Sequence, residues 1–439
     1  MSAMAAPLFP PEHSRLLIIG GGVAGLDLAC QLSGSRGRRL GLDILLVDRE
    51  PAHVWKPMLH TIAAGTADTS TQQTAYMVQA HRRGFRFEQG EVVAVDRVRK
   101  QVHLAPLFAE GMQVLPARIL TYDKLVLAAG SRANDFGTPG VAQHCMTIDC
   151  RREAIAFNEQ LRIAALRAIS QGEPLSVVIV GGGATGVELA SELVRLAEII
   201  EVHGAPARAH GGVRITLIES QERILGPFPE RVASSAHAML RQLGVDVRTN
   251  ARVQSVDAQG MILSDGSRID ATLKLWAAGV RAPRFISEIE GLEHSRLGQI
   301  VVGDDLSALC DRDIFALGDC ASMSMPGRQS PVPTTAQAAY QQAIYLGRQL
   351  PRMIAGQRVP PFRYHDFGAL VSLGGYDAYG TLGRLGFFKG GFLRGRVAQW
   401  GHSMLYRRHQ ARIYGPIRGS LLWLADSIGD SIRPLEKLI

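Results

Sequence analysis

Two kinds of hydrophobic pattern follow one another twice along the chain. Leu16 to Ile19 is a short apolar run that reads as a buried strand, and VAGLDLACQL after it carries apolar residues at helical spacing. DILLVDRE then reads as a second strand ending at Asp48. Val177 to Val180 opens the same sequence of elements again: a strand, a helix pattern in ATGVELASELVRL, and a strand in VRITLIES that ends at Glu219. Strand, helix and strand in alternation predict an α/β protein with two doubly wound, Rossmann-like units.

Between each strand and its helix lies a glycine fingerprint. Gly20, Gly22 and Gly25 have GxGxxG spacing, and so do Gly181, Gly183 and Gly186. Such glycines allow a tight turn, let main-chain amides approach a pyrophosphate at the helix N-terminus, and permit close packing of helix on strand. Asp48 and Glu219 stand where an acid would accept a hydrogen bond from a ribose 2′-OH. At Glu219 this favours NADH over NADPH, since no arginine immediately follows it. The interval from Gly186 to Glu219 is long, and HGAPARAHGG accounts for it as a loop inserted between helix and strand.

Composition narrows the class. At 439 residues, 46% hydrophobic and 20% charged, the chain suits a globular protein of two or three domains. The opening MSAMAAPLFPPEHSR lacks the charge and apolar core of a secretory signal and reads as a loose arm. Five cysteines form neither a disulfide framework nor paired CxxC sets, so no metal site is expected. The net charge is +8, and residues 384–439 alone hold ten Lys/Arg against three Asp/Glu. A nucleic-acid partner is not expected, because no known fold or stacking platform accompanies that charge.

Two fingerprints in one chain suggest a flavoprotein that binds FAD in the first unit and a nicotinamide nucleotide in the second. The chain resembles the flavoprotein reductases with two dinucleotide-binding domains. KLVLAAGSRAND, with Ala129 and Gly130, resembles the strand and turn closing their FAD domain. LKLWAAGVRAP, with Ala278 and Gly279, resembles its counterpart in the NADH domain. CDRDIFALGDCA resembles the second FAD motif, in which Asp319 would bond the ribityl chain. Cys145 and Cys150 have the CxxxxC spacing of disulfide reductases but lie in a crossover, so dithiol chemistry is not expected.

VWKPMLHTIAAGT (54–66), AQAAYQ (336–341) and the basic tail closely resemble the type II NADH:quinone oxidoreductases. The resemblance implies two-electron transfer from NADH through non-covalent FAD to a membrane quinone, without proton pumping. It implies a quinone pocket beside the flavin lined by the helix carrying Ala336, Gln337 and Gln341. Uncharged amides suit a quinone carbonyl in a pocket that an apolar headgroup must enter. Glu188 is expected near the nicotinamide and the flavin edge, Lys56 as support for charge on the reduced flavin, and His60 as a possible proton shuttle or a structural histidine. The alternatives are a sulfide:quinone-reductase-like flavoprotein, weakened because no cysteine follows Cys320, and a flavin- and NADH-binding signalling protein of the same fold.

The tail holds no apolar run long enough to cross a bilayer. Leu421, Leu424, Ala425, Ile428 and Ile432 recur at helical spacing, with Asp426 and Asp430 off that face. Arg407, Arg408, Arg412 and Arg418 precede or flank them, with Trp400 and Trp423 nearby. The pattern predicts a helix lying in an anionic lipid surface, against the alternative of a helix packed on protein. The expected organisation is an arm over 1–13, FAD-binding segments over 14–162 and 286–360, an NADH-binding domain over 163–285, and a membrane-anchoring region over 361–439. A peripheral homodimer on the cytoplasmic face of a bacterial inner membrane is the expected setting.

Overall fold

The computed structural model describes residues 14–67, 73–204, 212–325, 330–374, 376–382 and 392–432. The expected N-terminal arm and most of the inserted loop HGAPARAHGG lie outside the described residues, as do the side chains of Trp400 and Ile432. The chain forms two compact units whose segments alternate along the sequence. The first is Met1–Trp55, Gln73–Arg132 and Arg281–His365; the second is Lys56–Gln72, Ala133–Val280 and Asp366–Ile439. These limits differ from the expected segments in giving 56–72 and 133–162 to the unit that holds the second fingerprint.

The first unit is built on a six-stranded sheet in the order Ser307–Ala308, Asp311–Ala316, Lys124–Leu127, Ser14–Ile19, Leu42–Asp48 and Arg86–Gln89. All neighbours are parallel except the outermost pair, Ser307–Ala308 with Asp311–Ala316. Ser14–Ile19 is central, with Leu17 opposite Leu45 on one side and Leu125 on the other. Leu16, Leu17 and Ile18 have no solvent exposure, as a strand covered on both faces requires. The first fingerprint helix, Val23–Leu32, packs against the helix Ala336–Ile354. Their approach is close: a Cβ on Gly347 would lie 2.6 Å from Gln31 Oε1.

The second unit repeats the theme with four parallel strands, Asp246–Arg248, Arg214–Ile218, Ser176–Val180 and Leu273–Trp276 in spatial order. Its fingerprint helix, Ala184–Val202, packs against the short helix Leu59–Ala64 and against the strand Gly368–Leu373. That strand belongs to an antiparallel three-stranded sheet with Asp377–Leu382 and Phe392–Arg394.

The tail folds as two helices, Arg396–Tyr414 and Pro416–Ile432, packed on each other. The crossing is tight at Gly419, where a Cβ would come 2.7 Å from the Ala411 main chain. Arg407 and Asp426 form an ion pair between them. Ile417, Leu421, Trp423, Leu424 and Ile428 are each at least half exposed, so among the described residues the apolar face is not packed on protein. Among the described residues, no helix is long and apolar enough to cross a membrane.

Candidate functional site

The two glycine loops have matching geometry. Gly20 has φ +98°, and a Cβ there would meet Ala128 O at 2.4 Å; Gly181 has φ +114° and the same conflict with Ala277 O at 2.7 Å. A side chain on Gly25 would strike Gly20 O at 1.9 Å, and one on Gly186 would strike Gly181 O at 2.0 Å. Only glycine satisfies both the turn and the helix–strand approach. The middle positions differ in kind. Gly22 and Gly183 are the helix N-caps, neither helix start has a side-chain cap, and a Cβ on either glycine would meet nothing within 4 Å. Each loop thus leaves open space before an uncapped helix N-terminus, which fits a dinucleotide pyrophosphate.

The two acids also buttress their loops. Asp48 accepts the Gly21 N–H at 2.6 Å and the Glu50 N–H at 2.8 Å. Burial pushes its carboxyl pKa upward, and those two amides oppose the shift. Glu219 accepts the Gly182 N–H at 2.8 Å, the Gln221 N–H at 2.8 Å and the Ser220 hydroxyl at 3.1 Å.

In the first unit, Ala129 and Gly130 follow the strand Lys124–Leu127, and Gly130 turns with φ +68°. Beside them Asp319 accepts the Ser131 hydroxyl at 2.7 Å, while its carbonyl accepts Gln299 Nε2 at 2.9 Å. Ala336 and Gln337 open the helix Ala336–Ile354, which is N-capped by Thr335 through the Ala338 N–H. Gln341 has partners to which the sequence did not point. Its Nε2 donates to His365 O at 2.7 Å and its Oε1 accepts the His365 N–H at 2.9 Å, so both ends of the amide clasp one main-chain residue. Its neighbour Gln342 is buried and accepts the Gly318 N–H at 2.7 Å, fixing the turn before Asp319. The helical repeat Ala338, Gln342, Leu346 placed Gln342 on the inner face, a signal the sequence did carry.

The second unit gathers Glu188, His60 and Ser372. Glu188 sits near the start of its fingerprint helix, 6% exposed; Oε1 accepts the Ser372 N–H at 3.0 Å and Oε2 lies 3.5 Å from Nδ1 of His60, itself 4% exposed. Burial pushes the Glu188 carboxyl up to about 8; the Ser372 amide works against that and the nearby Glu192 adds to it. Burial therefore favours the protonated form of Glu188. Ser372 comes from a strand 184 positions along the chain, and nothing in the sequence points to it.

Lys56, His60, Asp149, Thr185, Trp276 and Gly279 are among the residues lining a cleft in this unit. Trp276 is held by its indole N–H to Asn134 O at 2.8 Å. Ala278 O accepts the Asn134 N–H at 3.2 Å, and Gly279 turns with φ +61° beside the Phe136 ring.

These features have counterparts in known proteins. Residues 14–343 match the pyridine nucleotide-disulphide oxidoreductase family. Across 443 aligned residues, 97% of this chain and 99% of the relative, the chain is 35% identical to the type II NADH:quinone oxidoreductase of Haemophilus influenzae. The chain belongs to the type II NADH:quinone oxidoreductases. Another member, NdhA of Mycobacterium tuberculosis, is 29% identical over 85% of this chain and 80% of its own. Among solved structures, NDH2 from Plasmodium falciparum in complex with NADH matches with a TM-score of 0.80 at 16% identity, over 97% of this chain and 99% of that one. The sulfide:quinone oxidoreductase of Aquifex aeolicus matches with 0.72 at 17% identity, over 96% of each. At those identities the structural likenesses speak for the fold, whereas the Haemophilus relative carries the family.

Proposed function

We infer that the chain oxidises NADH and passes two electrons through bound FAD to a membrane quinone, which takes up two protons to become a quinol, without proton pumping. The observation that carries this reading is the pair of uncapped glycine turns with open approaches, in a member of the type II family. Gly20, Gly22 and Gly25 with Asp48 would hold FAD, completed by Ala129, Gly130, Asp319, Ala336 and Gln337. Gly181, Gly183 and Gly186 with Glu219, Ala278 and Gly279 would hold NADH. FAD supplies the two-electron chemistry when bound.

The chain's own groups position the nucleotides and manage protons. Glu219 is an acceptor for a free 2′-OH and would repel a 2′-phosphate, which supports NADH as the donor. Glu188, neutral below about pH 8, holds a proton at its carboxyl beside His60 and is assigned to the nicotinamide end of the NADH site. Lys56 adds a positive charge to the cleft that also holds His60 and Thr185. Gln337 is assigned as the amide that meets the quinone, and Gln341 as the residue that fixes the helix to His365.

The quinone is a lipid, so the enzyme is assigned to a membrane surface, at the cytoplasmic face of a bacterial inner membrane and as a homodimer. Exposed Ile417, Leu421, Trp423, Leu424 and Ile428, with exposed Arg408 and Arg418, support lipid contact by the last helix.

Anaerobic half-reactions test the reading on the full chain loaded with FAD. NADH should bleach the flavin absorbance, and a short-chain quinone should restore it. Failure of either step removes the function. In the same assay, deletion of the residues after Gly395 should abolish sedimentation with anionic vesicles; continued sedimentation would remove the lipid assignment.

A further inference from the structure

The first glycine loop is held by two side chains that no nucleotide motif points to. The Gly21 N–H is taken by Asp48. The Gly21 carbonyl accepts two further bonds, from the Tyr76 hydroxyl at 2.8 Å and from His53 Nδ1 at 2.9 Å. Both donors are buried, Tyr76 at 2% exposure and His53 at 4%. A carbonyl oxygen can only accept, so His53 carries a proton on Nδ1. Burial pulls the ring's pKa down to about 4, so at neutral pH the imidazole is uncharged and that tautomer is the working one.

A small ladder outside the main sheet delivers both donors. Ala52–Val54 pairs antiparallel with Gln73–Ala75, placing Ala52 opposite Ala75, and the Tyr76 N–H bonds Pro51 O at 3.1 Å. The Tyr76 ring stacks on Phe87 at 4.9 Å and lies so near Gly21 that a Cβ there would meet it at 2.4 Å. The peptide plane explains the consequence. In a trans peptide the N–H of Gly22 points opposite to the C=O of Gly21, so fastening the carbonyl on Tyr76 and His53 aims the Gly22 N–H the other way. There Gly22 opens the fingerprint helix with no side-chain cap and open space before it. In the second loop the matching carbonyl, of Gly182, accepts a main-chain bond from Leu225 N–H at 2.7 Å instead.

We propose that Tyr76 and His53 are positioning residues for the FAD pyrophosphate, holding the Gly21–Gly22 peptide in the one orientation that presents its amide to the phosphates. This rests on the assignment of FAD to the first loop. Pre-orientation of that amide strengthens binding of a cofactor that stays through turnover, because the loop need not order itself when FAD arrives.

The test uses full-length protein and measures the FAD dissociation constant by ultrafiltration of released flavin. Tyr76→Phe keeps the ring and removes the donor; His53→Leu removes the other. Each should weaken FAD by about five- to tenfold and the pair by about thirtyfold or more, as expected for neutral buried hydrogen bonds. His53→Asn, whose Nδ2 can replace Nδ1, should restore most of the loss. NADH affinity should stay within about twofold, as a control in the other unit, while the gap in melting temperature between FAD-saturated and FAD-stripped protein narrows. An unchanged FAD constant, with both forms melting lower by equal amounts, would mean that the two residues only support packing and would overturn the proposal. Wild-type protein that binds no FAD would instead overturn the assignment on which it rests. The single variants carry the test alone if the double variant does not fold.

Discussion

The two fingerprint helices begin with the same glycine geometry and then handle their buried acid in different ways. Two residues after the third glycine stands Asp27 in the first helix and Glu188 in the second, and both are buried. Asp27 accepts Gln31 Nε2 at 2.8 Å, a partner one turn along its own helix, on the side that packs against Ala336–Ile354. Glu188, one methylene longer, meets His60 and the Ser372 N–H, which come from distant parts of the chain. An acid bonded within its own helix helps to fix helix packing. An acid whose environment keeps it protonated near neutral pH is suited to exchanging a proton. The difference teaches that a repeated motif need not repeat a role, because the role is set by what the tertiary fold brings to the second carboxylate.

The strongest way to break the comparison is at the shared glycines. Gly25→Val should expel the flavin and leave colourless protein, since its side chain would drive into Gly20 O. Gly186→Val should leave the flavin in place and slow its bleaching by NADH at least about a hundredfold, a loss consistent with overpacking at a site with no room. Flavin absorbance per protein and anaerobic stopped-flow measure both. Colourless protein from both variants would show that the loops do not divide the cofactors.

Next in size is the protonation of Glu188. Its folded pKa lies near 8, above an ordinary carboxylate, so the folded state binds the extra proton. The associated stability is fully present below the unfolded pKa and is lost as pH rises through about 8, at up to about 1.4 kcal/mol per pH unit within that window. Glu188→Gln should flatten this slope in urea unfolding curves and reduce turnover, whereas Asp27→Asn should leave the rate of flavin bleaching within about threefold. A slope that survives Glu188→Gln would remove Glu188 as its source.

Glu219 and Asp48 sharpen the comparison on the nucleotide side. Glu219→Ala should narrow the preference for NADH over NADPH by about tenfold, as measured by kcat/KM for each, because one carboxylate near a phosphate is worth roughly 1–2 kcal/mol. The smallest effect is expected at Gln341. Gln341→Leu should cost about 1–2 kcal/mol of stability through its two bonds to His365, seen as a lower urea midpoint. Gln337→Leu should instead slow reoxidation by quinone with little change in bleaching.

Much of the architecture was legible in the sequence because strand, glycine turn, helix and acid are local events with local causes. The runs Leu16–Ile19 and Val177–Val180 became the central strands of their sheets, extended by two residues and by one. Glu219 was legible for the same reason, as it directly follows the strand Arg214–Ile218 and bonds its loop at Gly182. The amides were only half legible. Helical spacing gave Gln337 and Gln341 a common side, yet only the returning chain at His365 supplied the two bonds that Gln341 makes. The exposed apolar face of Pro416–Ile432 was visible as a pattern, but whether protein covered it depended on how that helix lies on Arg396–Tyr414.

By itself the sequence determined the two glycine turns, their acids and the order of the elements, since steric exclusion at Gly20, Gly25, Gly181 and Gly186 and the hydrophobic period act over a few residues. Only the tertiary structure decided which polar groups would be sealed together. Tyr76 and His53 on the Gly21 carbonyl, and His60 and Ser372 around Glu188, are meetings of distant segments. Their effect on hydrogen bonding and protonation arises from burial, which no local pattern encodes.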